Sequence, residues 1–305
     1  MIGSLFFGAF LGGTMYNILQ VLKCGFCRER LNQKQNWFIK NENEVLAMLE
    51  VLTVSIFNGE RKVRIYLPVG YGTSNKHYPV LYMHDGQNVF GAEDVIGGVS
   101  LELHKYLDQT NSDLIVAAID QNTEGEERLN EYCPWKNGDF SKHVLGYISS
   151  SGGKGREYAD FIVNELKPLI DEKYRTMTAE NYMAGISLGG LISVYAGCQY
   201  PDIFKKIAGV SSAFYRNQEE IEKLAAATPP SGKIYLDCGT AEAGKNRRMS
   251  ELFLASNKAV FERLNSSDCE VELRIIEGAG HNYSAFRERI GAVMEFFLED
   301  GGGMR

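Results

Sequence analysis

The sequence of 305 residues predicts an α/β fold, a mostly parallel eight-stranded sheet with helices on both faces. Three observations carry that expectation. Strand-like and helix-like runs alternate from about residue 48 to the last helix. The first two strand runs are joined by Asn58-Gly59, a strong hairpin signal, so the sheet opens antiparallel before the βα units begin. One apolar strand run, 181–186, passes through Gly185-Ile186-Ser187-Leu188-Gly189 directly into a helical run.

Taken in order, the strand runs are 51–57, 62–67, 80–84, 114–120, 181–186, 206–210, 233–237 and 270–276. Helical runs are read at 100–109, 156–171, 188–199, 248–264 and 284–298. The second of these has Tyr158, Phe161, Ile162, Leu166, Leu169 and Ile170 on one side, an amphipathic face. Residues 121–155 form a long connection, which either covers a site or is disordered. Within it, Gly152-Gly153-Lys154-Gly155 lacks phosphate-loop spacing and reads as a flexible lead into the next helix.

The first 47 residues stand apart. Residues 2–22 carry no charge and are long enough to span a bilayer, with Lys23, Arg28 and Arg30 behind them. Thr14, Asn17, Gln20 and four glycines weaken that reading. No basic residue precedes the run, and Lys23 sits where a signal peptidase needs small residues. Three readings fit: a membrane anchor, an apolar helix docked on the domain, or a leader outside the folded unit with translation starting at Met48. The last is preferred, because the regular pattern begins at Met48. Residues 48–300 then form one catalytic domain and 301–305 a loose tail. The expected location is cytoplasmic, the alternative a membrane anchored through residues 2–22.

A net charge of −7 and a pI near 5.4 leave no basic excess for nucleic acid. Of six cysteines only Cys24 and Cys27 are spaced C-x-x-C, and no second pair or histidine cluster completes a metal site. Cys198 and Cys238 fall in apolar runs, which suits a reducing compartment better than a disulfide framework.

The candidate chemistry centres on Ser187. A sharp strand-to-helix turn lifts its hydroxyl clear of the sheet, and the following helix points its positive end at it. A serine hydroxyl needs a base in reach, itself held by a third group. His281, in Gly278-Ala279-Gly280-His281, follows the last strand and so reaches the same sheet edge. His77, His104 and His143 lie elsewhere, and His84 ends the third strand, where it is expected to pack beneath the site. The acid belongs after the penultimate strand. Asp237 is still inside the strand pattern, whereas Glu242 lies in the loop beyond it and is favoured. For an oxyanion, the backbone N–H of Leu188 is one donor, and that of Gln87 in Asp85-Gly86-Gln87 is the second.

Four motifs in this order resemble the esterase D-like family of α/β-hydrolases: Met83-His84-Asp85-Gly86-Gln87-Asn88-Val89-Phe90, Arg128-Leu129-Asn130-Glu131-Tyr132, Ala184-Gly185-Ile186-Ser187-Leu188-Gly189-Gly190 and Gly278-Ala279-Gly280-His281. The resemblance runs from Met48 to the end of the last helix. It implies the α/β-hydrolase fold and a serine carboxylester hydrolase without metal or organic cofactor. It gives Ser187 as nucleophile, His281 as base and Glu242 as acid, where the family often carries Asp. Acetyl or feruloyl esters of carbohydrates are the leading substrate expectation, with siderophore-like esters or thioesters as alternatives. An acyltransferase using the same residues, or a non-catalytic binding protein on the same fold, are the other classes. Arg128, Glu131, Tyr132 and Trp135 either line the substrate pocket or pin the long connection down.

Overall fold

The computed structural model describes residues 47–91, 94–147, 149–267 and 269–299. The leader up to residue 46, with the apolar run 2–22, and the tail 301–305 lie outside the described residues.

Eight strands form one sheet: β1 (Met48–Ile56), β2 (Gly59–Leu67), β3 (Tyr78–His84), β4 (Ile115–Ile119), β5 (Thr176–Ile186), β6 (Phe204–Val210), β7 (Lys233–Gly239) and β8 (Val271–Ile276). Their order is β1-β2-β4-β3-β5-β6-β7-β8. β2 runs against both its neighbours, and every other pair is parallel. The opening hairpin turns one residue earlier than Asn58-Gly59 suggested. Ile56 pairs with Gly59, so Phe57 and Asn58 take the two left-handed positions, at φ 50 and 61.

The helices are α1 (Leu103–Gln109), α2 (Glu127–Tyr132), α3 (Asp139–Leu145), α4 (Gly155–Phe161), α5 (Lys167–Lys173), α6 (Leu188–Gln199), α7 (Gln218–Ala227), α8 (Arg247–Asn265) and α9 (Tyr283–Leu298). A π-helical stretch, Ile162–Leu166, joins α4 to α5. Pro168 follows it, and a proline offers no N–H and crowds the carbonyl four residues back, so the hydrogen-bond register slips there. The described residues of the connection 121–155 include α2 and α3, and α7 had no counterpart among the expected helices.

Side-chain alternation along the strands builds a core on each face of the sheet. Val80 and Tyr82 of β3 join Met183, Leu191 and Val260 on one side. Leu81 and Met83 join Leu103, Leu107, Phe286, Val293 and Phe297 on the other, beneath α1 and α9. Each such fully buried side chain contributes about 1.5–3 kcal/mol relative to exposure. Among the described residues no helix is long and apolar enough to cross a membrane. The parallel strands β3 and β5–β8 end on one edge, and each hands a loop to it.

Candidate active site

Ser187 stands between β5 and α6 with φ 60 and ψ −117, a backbone conformation costly for any residue with a side chain. The surroundings over-determine it. Its N–H donates to the Val210 carbonyl of β6 at 2.9 Å. Its own carbonyl accepts from the N–H groups of Gly190, Leu191 and Ala213 at 3.1, 3.2 and 2.9 Å. Gly185 is required by close approach: a Cβ there would lie 2.3 Å from the backbone of Gly189. Every residue from Leu188 to Cys198 is buried, so α6 is held on all sides with its N-terminus at the serine. The first amides of a helix have no intrahelical acceptor, which leaves the Leu188 N–H available at the hydroxyl.

Two loops on the same edge carry Glu242 and His281 and are stitched together. The Thr240 N–H donates to the Ile276 carbonyl at 3.0 Å, the Ala241 N–H to the Ala279 carbonyl at 3.0 Å, and the Gly278 N–H to Thr240 Oγ1 at 2.9 Å. Asn282 then caps α9, accepting from the Ala285 N–H. In this frame His281 Nδ1 lies 2.7 Å from Glu242 Oε2, with the imidazole edge-on to the rings of Phe253 and Phe286. The Glu242 side chain is 1% exposed. Burial pushes its carboxyl up, but hydrogen bonds from His281 and Ser211, the His281 charge and the Gly239 N–H outweigh it and hold it below its ordinary range. An ionised carboxylate only accepts, so Nδ1 carries the proton and Nε2 is left free as a base.

Asp237, the other acid candidate, is occupied elsewhere. It is fully buried, 2.7 Å from Arg289 Nη1 and 3.1 Å from the Tyr235 hydroxyl. Burial lifts its carboxyl to about 6 against the pull of Arg289. Arg289 and Ser211, which touches both Arg289 and Glu242, escaped the sequence reading. A readable signal for the first was a charge on the apolar stripe of α9, between Phe286 and Ile290.

The loop after β3 faces the serine turn. Asp85 adopts φ 58 and ψ 45, and Gly86 packs so tightly that a Cβ would lie 2.4 Å from the Ala118 carbonyl oxygen. The Gln87 side chain accepts from the Gln121 N–H at 2.9 Å, which anchors the short 3-10 turn Gly86–Asn88. Arg128 grips Asp85 with two bonds, 2.7 and 2.8 Å, and its side chain keeps 27% exposure. Glu131 and Tyr132 differ: both are 0% exposed. Glu131 binds Arg61 in a bidentate pair at 2.8 and 2.9 Å, and the Tyr132 hydroxyl accepts from the Asp85 N–H. Neither has surface to offer a substrate; they hold the loops. Trp135 is half-buried against Tyr195, its backbone tied to Asn217. His84 is 2% exposed with Nδ1 3.0 Å from the Tyr158 hydroxyl, and burial lowers it to about 4, so it sits neutral beneath the site.

An eight-stranded sheet of this order with a strained serine between strand and helix is the α/β-hydrolase arrangement, and the family match over most of the chain makes its class the serine esterases. A family model described as Putative esterase matches residues 54–297, and the chain belongs to that family of carboxylic ester hydrolases. It is similar to an uncharacterized protein of Bacillus subtilis, YbbA, at 29% identity over 234 residues, which is 75% of this chain and 88% of that one. Among solved structures it resembles an IroE-like serine hydrolase from Shewanella oneidensis (TM-score 0.64, 19% identity, 82% of this chain and 80% of that one). It also resembles the siderophore hydrolase EstB from Aspergillus nidulans (TM-score 0.64, 17% identity, 88% and 100%) and a ferulic acid esterase (TM-score 0.60, 16% identity, 83% and 98%).

Proposed function

We propose that the chain hydrolyses small carboxylic esters through Ser187, His281 and Glu242 by way of an acyl-enzyme. The observation that carries this reading is the Glu242–His281 hydrogen bond on the sheet edge where the strained Ser187 also stands. Ser187 Oγ attacks the ester carbonyl as His281 Nε2 takes its proton, and Glu242 orients the ring and offsets the imidazolium charge. The Leu188 and Gln87 amides receive the developing oxyanion. Collapse of the tetrahedral intermediate expels the alcohol, which regains the proton from His281. Water, deprotonated by the same imidazole, then frees the acid and restores the serine.

Acetyl or aromatic acyl groups such as feruloyl are the proposed substrates, supported by the rings of Phe253, Tyr283 and Phe286 grouped around the base. Siderophore-like esters are the second reading, on the likeness to EstB and the IroE-like hydrolase. A reducing compartment, the cytoplasm, is proposed because Cys133, Cys198, Cys238 and Cys269 are free thiols. The test is turnover of p-nitrophenyl acetate, methyl ferulate and a catecholate triester by wild type and Ser187→Ala. The variant should lose roughly 10⁴–10⁶ in kcat on whichever ester the wild type cleaves. Equal rates would remove Ser187 from the chemistry.

A further inference from the structure

Ser211 follows β6 at φ 44 and is completely buried. Its N–H donates to the Asp237 carbonyl at 2.8 Å, which fixes the residue against the end of β7. Its hydroxyl lies 2.5 Å from Glu242 Oε1 and 3.1 Å from Arg289 Nη2. The carboxylate only accepts and the guanidinium only donates, so the single hydroxyl proton points at Glu242 and a lone pair faces Arg289. Arg289 cannot turn away. Its Nη1 is bound to Asp237 at 2.7 Å, its Nε donates to the Ala285 carbonyl at 3.1 Å, and the Phe286 ring lies 5.1 Å from its Cζ.

A glutamate at the acid position has one more rotatable bond than an aspartate, so reaching an imidazole with one oxygen requires the other to be pinned. Here Oε1 is pinned by two donors, Ser211 Oγ and the Gly239 N–H at 2.6 Å, and Oε2 is left for His281. We propose that Ser211, polarised by Arg289, is a positioning residue for the proposed triad: it locks the Glu242 carboxylate in the rotamer that serves His281. The inference rests on the Ser187–His281–Glu242 reading and extends it to the buried chain Asp237–Arg289–Ser211–Glu242.

The groups facing the Glu242 carboxylate are His281 from the loop before α9, Ser211 from the end of β6, and Cys238 of β7, whose thiol is 3.9 Å from Oε1 and is held protonated by burial. The Glu242 charge helps raise the Asp237 carboxyl, and Arg289 faces the Glu242 carboxylate through Ser211. The Ser211 hydrogen bond is one of the donors that hold the Glu242 carboxyl below its ordinary range. Removing that donor lets the Glu242 carboxyl rise, so the acidic limb of kcat/KM moves to higher pH.

The test compares Ser211→Ala, Ser211→Gly, Arg289→Lys and the Ser211→Ala/Arg289→Lys double variant with wild type, with Glu242→Gln as a control. Glycine suits the positive φ of position 211 and alanine does not, so a loss shared by both belongs to the hydroxyl and not to the backbone. Both single variants at 211 should lose roughly tenfold in kcat, about 1.4 kcal/mol of barrier, with KM within about twofold and the acidic limb displaced upward. Arg289→Lys should give a smaller displacement in the wild-type background and less than about a twofold further change in kcat on Ser211→Ala, the non-additivity of one connected unit. An unmoved limb, a rate loss that only tracks the folded fraction, or multiplicative effects of the two sites would overturn the proposal. If Glu242→Gln itself keeps full activity, the triad reading fails; if it is inactive while Ser211→Ala behaves as wild type, the positioning role alone fails.

Discussion

Replacing Glu242 by glutamine changes one oxygen for an NH2 group and leaves volume and shape almost untouched. The partners of the native carboxylate are all donors: the Gly239 N–H, the Ser211 O–H and, at 3.9 Å, the Cys238 thiol to Oε1, and His281 Nδ1–H to Oε2. The amide oxygen is therefore drawn to the side crowded with donors, and the NH2 is turned toward the imidazole. Nδ1 then has to accept, its proton moves to Nε2, and the nitrogen meant to deprotonate Ser187 is capped. A wrong tautomer of this kind costs roughly 10³–10⁴ in kcat, about 4–5.5 kcal/mol of barrier. The assay is initial-rate hydrolysis of p-nitrophenyl acetate at neutral pH, alongside thermal unfolding to confirm that Tm stays within a few degrees. Retention of a tenth or more of wild-type kcat by a folded variant would refute both the tautomer argument and the place of Glu242 in the triad.

Three further outcomes are expected. Glu131→Ala strands the buried Arg61 guanidinium, whose partner is 2.8 Å away, and should cost about 3–5 kcal/mol in urea unfolding while KM holds at temperatures where the variant is folded; a raised KM at unchanged stability would instead return Glu131 to the substrate pocket. Gly185→Ala forces a Cβ to within 2.3 Å of the Gly189 backbone, so the serine turn has to open; Tm should fall and kcat drop at least a hundredfold, and a wild-type rate would show that the turn tolerates the extra carbon. Asp237, raised to about 6 from an ordinary carboxylate value, retains its proton longer in the folded than in the unfolded chain, so the stability it contributes is present at acid pH and is lost as pH climbs through about 6. The gap in unfolding free energy between wild type and Asp237→Asn should shrink as pH is raised from about 4 to 6.5; a gap that widens would mean that the attraction of Arg289 exceeds the penalty of burial.

Most strands were legible because they are buried on both faces or on one, as in the run Val80-Leu81-Tyr82-Met83, whereas β8 at the sheet edge has no fully buried residue. Ser187 was legible for a local reason: the strand, glycine spacing and helix lie within ten residues of chain. The choice between Asp237 and Glu242 was not local. It turns on which face of β7 residue 237 occupies, and that parity is set by Arg289 and Tyr235, the first of them 52 residues downstream. Glu131 and Tyr132 misled for the same reason in reverse. Polar and aromatic residues in a long connection suggest a pocket, but Arg61 on β2 and Asp85 after β3 absorb their polar groups before a substrate could. The short helices α2 and α3 have too few turns to display an apolar period, and α7 offers only Ile221 and Ala225 as fully buried apolar contacts.

The ladder joining the 239–242 and 276–281 loops makes the two halves of the proposed proton path a single mechanical body. Drift of one without the other would break several backbone bonds at once, so the distance between carboxylate and imidazole is insulated from breathing elsewhere in the molecule. The region 121–155 is moored separately, to Arg61, Asp85 and Asn217. A change in that region which spares those moorings therefore leaves the spacing of Glu242 and His281 untouched.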